Sequence, residues 1–331
     1  MVNHNQLKTL FGAFRDQNEA TFLQVAEKII AGELASNNFK EACELRKMIE
    51  RQNKAMKSTI QPMNLAYLPR DRRNGENLIE LQESKISSDK IVFTKETELK
   101  INRVLEEFRQ RNLLGKYGLT PKRKLLFWGS PGCGKTLTAF FLGYELGLPV
   151  GILKLNSVIS SFLGDTAGHI QRVFDLAEKT PIVLVLDEID AIAKNRDDRN
   201  DVGELKRVVN SLLQTLDFFK SSQSIVVAAS NHQYLLDPAV WRRFDDVIQF
   251  PLPEISDITV FLNRFLNGIN VDFTFPTVAK FLKGLSFADI EKNLVEALKS
   301  MILEGRQILN KEDILSQVKV FKTSLEKAKK K

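Results

Sequence analysis

Residues 129–136 read Gly129-Ser130-Pro131-Gly132-Cys133-Gly134-Lys135-Thr136, which matches the phosphate-loop pattern G-x-x-x-x-G-K-[ST] at every fixed position. A short apolar run, Lys124–Trp128, precedes the loop, and helical periodicity follows it. A strand, a glycine-rich turn and a helix together point backbone N–H groups and a positive helix end at one anion. The loop and the adjacent Leu137 are therefore predicted to bind ATP, with Lys135 on the β and γ phosphates and Thr136 on Mg²⁺.

A second apolar run, Ile182–Leu186, ends in Asp187 and Glu188. A buried strand holds such acids rigidly at its carboxyl end, where ligands bind in parallel sheets. Downstream of an intact phosphate loop, this pattern predicts that Asp187 helps to hold Mg²⁺ and that Glu188 activates the attacking water. An acidic turn after a core strand is the alternative, and the upstream loop favours the functional interpretation.

Segments of strand length and helix length alternate through the middle of the chain. Val150–Leu155 and Ser224–Ala229 are further apolar runs of strand length, separated by helical patterns. The alternation predicts an α/β fold, a phosphate-loop parallel sheet with helices on both faces. Helical periodicity on either side predicts a helical N-terminal domain and a small helical lid.

Polar residues follow the last of these strands. Asn231 comes after its end, where an amide is able to hydrogen-bond both the γ-phosphate and the attacking water. Arg242 and Arg243 lie a few residues further on, and their guanidinium groups suit phosphate. Neither arginine is near the phosphate loop in sequence, so the pair is expected to serve a neighbouring subunit's nucleotide. A solvated basic pair is the alternative.

Together these motifs resemble the AAA ATPase family over about 91–318, in particular bacterial-type single-ring proteins related to katanin, spastin and the membrane-bound AAA proteases. The resemblance implies ATP hydrolysis with Mg²⁺ and a homo-oligomer, expected to be a hexameric ring. It also implies that Asn231 is the residue called sensor 1, and that Arg242 and Arg243 are arginine fingers supplied across the ring interface.

The predicted lid carries another part of the resemblance. Gly284–Ile290 is similar to the family element G-x-S-G-A-D-[IL], with Phe287 where glycine is usual. Independently of the family, Ser286 and Asp289 fit the start of a helix. Its buried stripe is expected to contain Ile290, Leu294, Ala297, Leu298 and Met301.

Residues 157–166 resemble the family's first pore loop, in which an aromatic side chain projects into a channel and grips an extended polypeptide. Phe162 falls on the aromatic position, with Leu163 behind it. Aromatic and apolar contacts are insensitive to substrate sequence, which suits translocation. A core phenylalanine at the start of the next helix is the alternative, and Gly164 with its flanking serines favours the loop.

The chain is expected to divide into consecutive segments. Residues 1–62 are predicted to form a helical bundle for substrate or adaptor recognition or for oligomerisation. Residues 63–88 are predicted to be a linker, with Leu78–Leu81 and Lys90–Phe93 as candidate strands of a hairpin. The large ATPase domain is expected over 89–253, the lid over 254–318 and a basic tail over 319–331.

Amino-acid composition further restricts the class of protein to which the chain can belong. No apolar run is long enough to span a bilayer, and the polar start lacks a signal-peptide pattern, so we expect a cytoplasmic protein with no membrane partner. Of the 2 cysteines, Cys133 lies inside the loop, which argues against a disulfide. The positive helix end is expected to lower the pKa of Cys133. The 3 histidines form no His-Glu-x-x-His zinc motif, so any proteolysis would come from a separate protease.

Three function classes stay open at this point. Phe162, the lid and the paired arginines favour a motor that acts on protein substrates, with a separate protease or adaptor as a further partner. The net charge of +7 is the one argument for a nucleic-acid motor or loader, and it is not gathered with aromatic residues in a binding module. A nucleotide-controlled scaffold is the third class, which slow hydrolysis unaffected by any partner would favour.

Overall fold

A computed structural model of the protein describes residues 91–154, 166–190, 202–232 and 238–329, and scattered positions between residues 8 and 86. The chain divides into two compact units, Met1–Pro62 and Met63–Lys331. In the first unit the described positions are short helical stretches, in which Ala26 and Ile29 are buried. Most of the predicted N-terminal bundle lies outside the described residues, so the bundle stays a prediction.

The second unit is built on a six-stranded sheet with the order β1-β3-β4-β5-β2-β6. Strand β1 is antiparallel to β3, and every other pair of neighbours is parallel. The predicted α/β fold with a parallel sheet is confirmed. The strands are β1 (Glu80–Gln82), β2 (Lys124–Gly129), β3 (Val150–Lys154), β4 (Val183–Asp187), β5 (Ile225–Ser230) and β6 (Asp246–Phe250).

Helices cover both faces of the sheet and continue beyond it. One face packs against α1 and α3, and the other packs against α4 and α5. The helices are α1 (Lys95–Arg109), α2 (Arg111–Lys116), α3 (Lys135–Leu146), α4 (Thr166–Lys179), α5 (Val202–Phe218), α6 (Pro238–Trp241), α7 (Ile255–Phe265), α8 (Phe275–Leu282), α9 (Phe287–Leu303) and α10 (Lys311–Lys329).

The central strand β4 shows why its sequence is a continuous apolar run. Successive side chains of a strand point to opposite faces, so a sheet covered on both faces needs apolar residues at every position. Val183 and Val185 lie in the layer with α1 and α3, and Leu184 and Leu186 lie in the layer with α4 and α5. Packing on both faces of the sheet therefore holds the strand rigidly. Asp187, at the end of the strand, is held in a fixed position as a result.

Helices α7 to α10, which include the segment predicted to be the lid, pack around a hydrophobic cluster of their own. Helix α7 begins after Glu254 and α9 begins after Ser286, each with a capping box. Reciprocal bonds between the N-cap and third residue of a helix fix its start. The helix start predicted at Ser286 is thus present. In its predicted stripe, Ile290, Leu294, Ala297 and Met301 are buried, and Leu298 is partly buried.

The predicted hairpin between Leu78–Leu81 and Lys90–Phe93 is wrong. Strand β1 pairs instead with β3, and residues 91–93 are not in a strand. Strand β1 thus lies inside the segment 63–88 predicted to be a linker, and forms the edge of the sheet. Local patterning detects strand-like residues but not their partner, which here is about 70 residues away in sequence.

Two further differences concern the end of the large domain and the end of the chain. Strand β6 was not predicted, although it pairs with β2 beside the phosphate loop. Helix α10 continues to Lys329, so the segment 319–331 predicted to be a tail is largely a continuation of a helix. Lysine, glutamate and alanine are good helix formers, which explains the continuation.

Candidate nucleotide site

The phosphate loop connects β2 to α3. Strand β2 ends at Gly129, and α3 begins at Lys135 with Gly134 as its N-cap at φ 93°. The N–H groups of the first turn of a helix have no acceptor within the helix, so they are available to an anion. Ser130 is exposed, Thr136 is partly buried and Leu137 is 39% exposed at the start of the helix. Pro131 is exposed on the same loop.

Gly129 is required by packing as well as by the approach of phosphate. Its φ is 147°, and a Cβ built on it would lie 2.1 Å from the carbonyl oxygen of Phe250. Phe250 is its partner in the β2–β6 register. The loop therefore starts at a close contact between two strands that only glycine permits.

Lys135 is 7% exposed, and its ammonium is held by the loop itself. Its Nζ donates hydrogen bonds to the carbonyl oxygens of Gly129 at 2.7 Å and Ser130 at 3.0 Å. Burial lowers the pKa of Lys135, while the charges of Asp187 and Asp190 act to raise it. The ammonium lies over the loop and near the acids of β4, where it is able to exchange carbonyl oxygens for phosphate oxygens.

Asp187 and Glu188 lie at the carboxyl end of β4. Burial raises the pKa of the Asp187 carboxyl, and the charge of Glu188 raises it further. The backbone N–H of Glu188 donates to Asp187 Oδ1 at 3.0 Å. Glu188 is exposed, and its backbone φ is 56°. Among the residues that the structure describes, it is the one non-glycine residue with a positive φ. Such backbone strain costs on the order of 1–3 kcal/mol and concentrates at functional sites.

Asp190 joins the ends of β4 and β5. Its side chain belongs to a residue that is 3% exposed, and Oδ1 accepts a hydrogen bond from the backbone N–H of Asn231 at 3.3 Å. The Asn231 backbone is therefore positioned directly by the turn that carries Glu188. Asp190 was not predicted from the sequence, although a third acid two residues after Glu188 was a signal for it.

Mg²⁺ fits the oxygen donors at this edge of the sheet. The ion binds oxygen ligands and usually keeps several waters beside one or two carboxylates and the phosphates. Asp187 is a carboxylate whose pKa is raised by burial, and a cation beside it would offset that cost. Thr136 offers a hydroxyl on the first turn of α3. These two residues would hold the ion together with phosphate oxygens.

The expectation of a low pKa for the Cys133 thiol is wrong. The side chain is 5% exposed, and burial raises the pKa of its thiol. Asp289 of the lid also raises it, while Lys135 acts in the opposite direction. Desolvation of the thiolate thus outweighs the positive end of α3, which the sequence pattern alone suggested would decide the shift.

We expect slow alkylation of Cys133 in a Cys43→Ser variant, where Cys133 is the sole cysteine. At pH 7.5 the rate with iodoacetamide should be below that of an exposed thiol, because a raised pKa lowers the thiolate fraction. The rate should rise with pH to a midpoint above that of an ordinary thiol, measured by mass spectrometry. Bound ATP should slow it further. A midpoint below the ordinary value would contradict the assignment.

The lid touches the phosphate loop directly. The backbone N–H of Ala288 donates to the carbonyl oxygen of Gly132 at 3.1 Å. A Cβ on Gly132 would lie 2.5 Å from Ser286 Oγ and 2.9 Å from Ala288 Cβ. Phe287, where the resembled element has glycine, packs its ring 5.4 Å from that of Phe261 within the lid. Phe287 stands where the resembled element has glycine, yet the next residue, Ala288, still makes a close backbone contact to the loop.

Arg242 and Arg243 form the turn between α6 and β6. Arg242 is exposed, and Arg243 Nε lies 3.0 Å from Asp217 Oδ2 at the end of α5. Asp245 fixes the turn, because its Oδ2 accepts the backbone N–H groups of Arg123 and Lys124, both at 2.9 Å. Phe162 and Leu163 of the predicted pore loop lie outside the described residues, so their role stays a prediction.

Comparison with known proteins places the chain in a family of ATPases. Residues 125–252 match the family described as "ATPase family associated with various cellular activities (AAA)". A Sinorhizobium fredii protein named an AAA family ATPase is 38% identical over 314 residues, which cover 95% of this chain and 93% of that relative.

Proteins from archaea match over a shorter stretch. The proteasome-activating nucleotidase of Aeropyrum pernix is 33% identical over 232 residues, 68% of this chain and 57% of the relative. The protein of the same name from Thermococcus onnurineus is 34% identical over 215 residues, 62% of this chain and 54% of the relative. The chain thus spans little more than half the length of these relatives. Within the described ranges, no helix is both long and apolar enough to cross a bilayer.

Proposed function

Because this chain belongs to the AAA family of ATPases, binds nucleotide and hydrolyses ATP, we propose that it is a ring motor that unfolds, threads or remodels protein substrates. The ring is a homo-oligomer, in our proposal a hexamer, whose subunits complete one another's active sites. The observation that carries the proposal is the position of the arginine turn relative to the phosphate loop of the same chain.

The C-terminal side of the arginine turn is attached to the start of β2, the end of that strand opposite the phosphate loop. Asp245 binds the backbone at Lys124, where β2 starts, whereas the phosphate loop leaves β2 at Gly129. These ends are roughly 16 Å apart for a strand that rises about 3.3 Å per residue. An exposed arginine on this turn suits a phosphate in a neighbouring subunit. A ring supplies such a neighbour to every subunit.

Each residue of the site has a role in hydrolysis under this proposal. Thr136 and Asp187 would hold Mg²⁺, which would supply positive charge to the phosphates. Lys135 holds the same phosphates, and Glu188 accepts a proton from the attacking water and orients it. Asn231 hydrogen-bonds that water or the γ-phosphate, on a backbone that Asp190 positions. The arginine turn of the next subunit supplies positive charge that stabilises the transferred group.

Protein threading is supported by two observations of different kinds. Two relatives that match more than half of this chain are named proteasome-activating nucleotidases. Phe162 in addition occupies the aromatic position of a pore-loop pattern. We propose that Phe162 and Leu163 grip an extended polypeptide, and that residues 1–62 or a separate adaptor select it. A separate protease is the proposed partner wherever the threaded chain is degraded.

Loss of fluorescence from a fluorescent β-barrel protein with a long disordered tail tests the proposal. With ATP, the wild-type protein should abolish fluorescence, because threading unfolds the barrel. Phe162→Ala should remove this activity and leave ATP turnover within about threefold, since its side chain acts on substrate and not on nucleotide. Phe162→Tyr is the matched control and should keep both activities.

Two outcomes would contradict threading. One is unfolding by Phe162→Ala at the wild-type rate. The other is intact fluorescence with the wild-type protein across tails of acidic, basic and apolar composition, at a concentration where it turns over ATP.

A further inference from the structure

We propose that the two neighbouring arginines do different work: Arg242 contacts the nucleotide of the next subunit, and Arg243 is a positioning residue that Asp217 holds in place. The inference rests on the proposed ring, and it names the residue that completes the shared site. It also gives a role to Asp217, which no sequence motif singled out.

Arg243 is engaged within its own chain. Its Nε lies 3.0 Å from Asp217 Oδ2, and the side chains of Arg243 and Asp217 are 29% and 48% exposed. The Nε–H donates the hydrogen bond at the same distance. An ion pair of this exposure contributes little to the free energy of unfolding. Its consequence is therefore geometric: it ties the arginine turn to the end of α5.

The backbone of the turn is fixed on both sides of Arg242. On the N-terminal side, the Trp241 ring lies 6.1 Å from the Trp128 ring in an edge-to-face arrangement. On the C-terminal side, Phe244 is 7% exposed and Asp245 binds the backbone of β2. The backbone N–H of Arg243 donates to the carbonyl oxygen of Val240 at 3.1 Å and closes the turn. Arg242 thus projects from an element that is anchored before and after it.

Arg242 itself is exposed, and across the described ranges no hydrogen bond or ion pair engages its guanidinium. A guanidinium presents a planar fork of N–H donors that fits phosphate oxygens in a bidentate manner. Arg242 is therefore able to contact a phosphate of the neighbouring subunit without first breaking an interaction within its own chain. Arg243 would have to release Asp217 first. Of the two side chains, Arg242 is the one prepared for a second subunit.

Single substitutions separate the two roles at saturating ATP and a protein concentration at which turnover per subunit has reached its plateau. Arg242→Ala should lower kcat by about 1,000-fold or more, as expected for an arginine that stabilises the transferred phosphoryl group. Arg243→Ala should lower kcat by only about 10- to 100-fold, because it misplaces Arg242 without removing it. Nucleotide affinity, measured with a fluorescent ATP analogue, should stay near the wild-type value in both. Arg103→Ala, an exposed arginine on α1, is the control.

Variants of Asp217 test the division of roles between the two arginines most directly. Asp217→Ala should lower kcat as much as Arg243→Ala does, and the double variant should be no worse than either single variant, because both changes break one contact. The charge exchange Asp217→Arg with Arg243→Asp should recover most of the loss. The same exchange combined with Arg242→Ala should stay inactive.

The results that overturn the assignment are distinct from those that overturn the ring. If Arg243 contacts the nucleotide, Arg243→Ala will be the more damaging variant, Asp217→Ala will be close to wild type and the exchange will not recover activity. If the wild-type rate per subunit does not depend on concentration, the ring and the role of Arg242 fail together. A concentration-dependent wild type with the opposite ranking of arginines overturns only the division of roles.

Discussion

Glu188→Gln is expected to bind ATP and Mg²⁺ with about wild-type affinity and to lose hydrolysis by about 100- to 10,000-fold. The amide cannot accept the proton of the attacking water, so the loss falls on kcat. Binding is retained because the loop and Asp187 are unchanged. Removing the Glu188 charge also removes one cause of the raised pKa of Asp187, which favours the carboxylate that Mg²⁺ needs. Steady-state turnover and isothermal calorimetry with ATP measure the two effects.

The backbone at Glu188 makes glutamine a well-matched replacement. Glutamate and glutamine bear the same strain at φ 56°, so a difference between them reports the carboxylate and not the fold. Glu296→Gln, on the exposed face of α9, is the control and should be indistinguishable from wild type. Turnover by Glu188→Gln within about threefold of wild type would remove Glu188 from its assigned role.

Gly129→Ala is expected to cost about 2–6 kcal/mol of unfolding free energy and to abolish ATP binding. A backbone at φ 147° costs an L residue about 1–3 kcal/mol. Relieving the overlap with the Phe250 carbonyl oxygen, 2.1 Å away, costs a similar amount, because both partners are backbone atoms in paired strands. Urea unfolding measures the stability, and binding of a fluorescent ATP analogue measures the site.

Gly118→Ala separates strain from overlap. Gly118 also has a positive φ, 72°, but no atom lies within 4 Å of a Cβ built there. It should lose only about 1–2 kcal/mol and keep ATP binding. Equal losses of stability at the two positions would show that the contact between Gly129 and β6 does not shape the loop.

The parts of this fold that were predictable from sequence are those determined by residues that lie close together in the chain. Strand, loop and helix around Lys135 follow from a local pattern, and so do the apolar strand ending at Asp187 and the capping box at Ser286. Each depends on neighbours a few residues away. Local pattern and final structure agree there, as expected for a sequence whose preferences support its fold.

The parts that were missed depend on residues far apart in the chain. Strand β1 pairs with β3 and not with a neighbouring segment. Asp190 gains its role from Asn231, just after the next strand of the sheet, and the pKa of Cys133 is raised by burial and by the charge of Asp289 in the lid. Burial and pairing are properties of the assembled fold, so no window of sequence contains them.

The arginine pair shows the same limit within the site. Sequence spacing indicated that both arginines serve a neighbouring subunit, and it gave no reason to separate them. The ion pair of Arg243 with Asp217 joins positions 26 residues apart, and it is this contact that distinguishes the two side chains. A motif therefore names the residues of a site, while the contacts of the folded chain assign their roles.

The steady-state ATPase rate per subunit, measured against protein concentration, tests the central claim most directly. Shared active sites require assembly, so the rate per subunit should rise steeply with concentration and reach a plateau where sedimentation shows the ring. Adding Arg242→Ala subunits at the plateau should lower the rate by more than their share of the mixture. A rate per subunit that is constant across the range and falls only in proportion to the added variant would contradict the ring, and with it the threading mechanism.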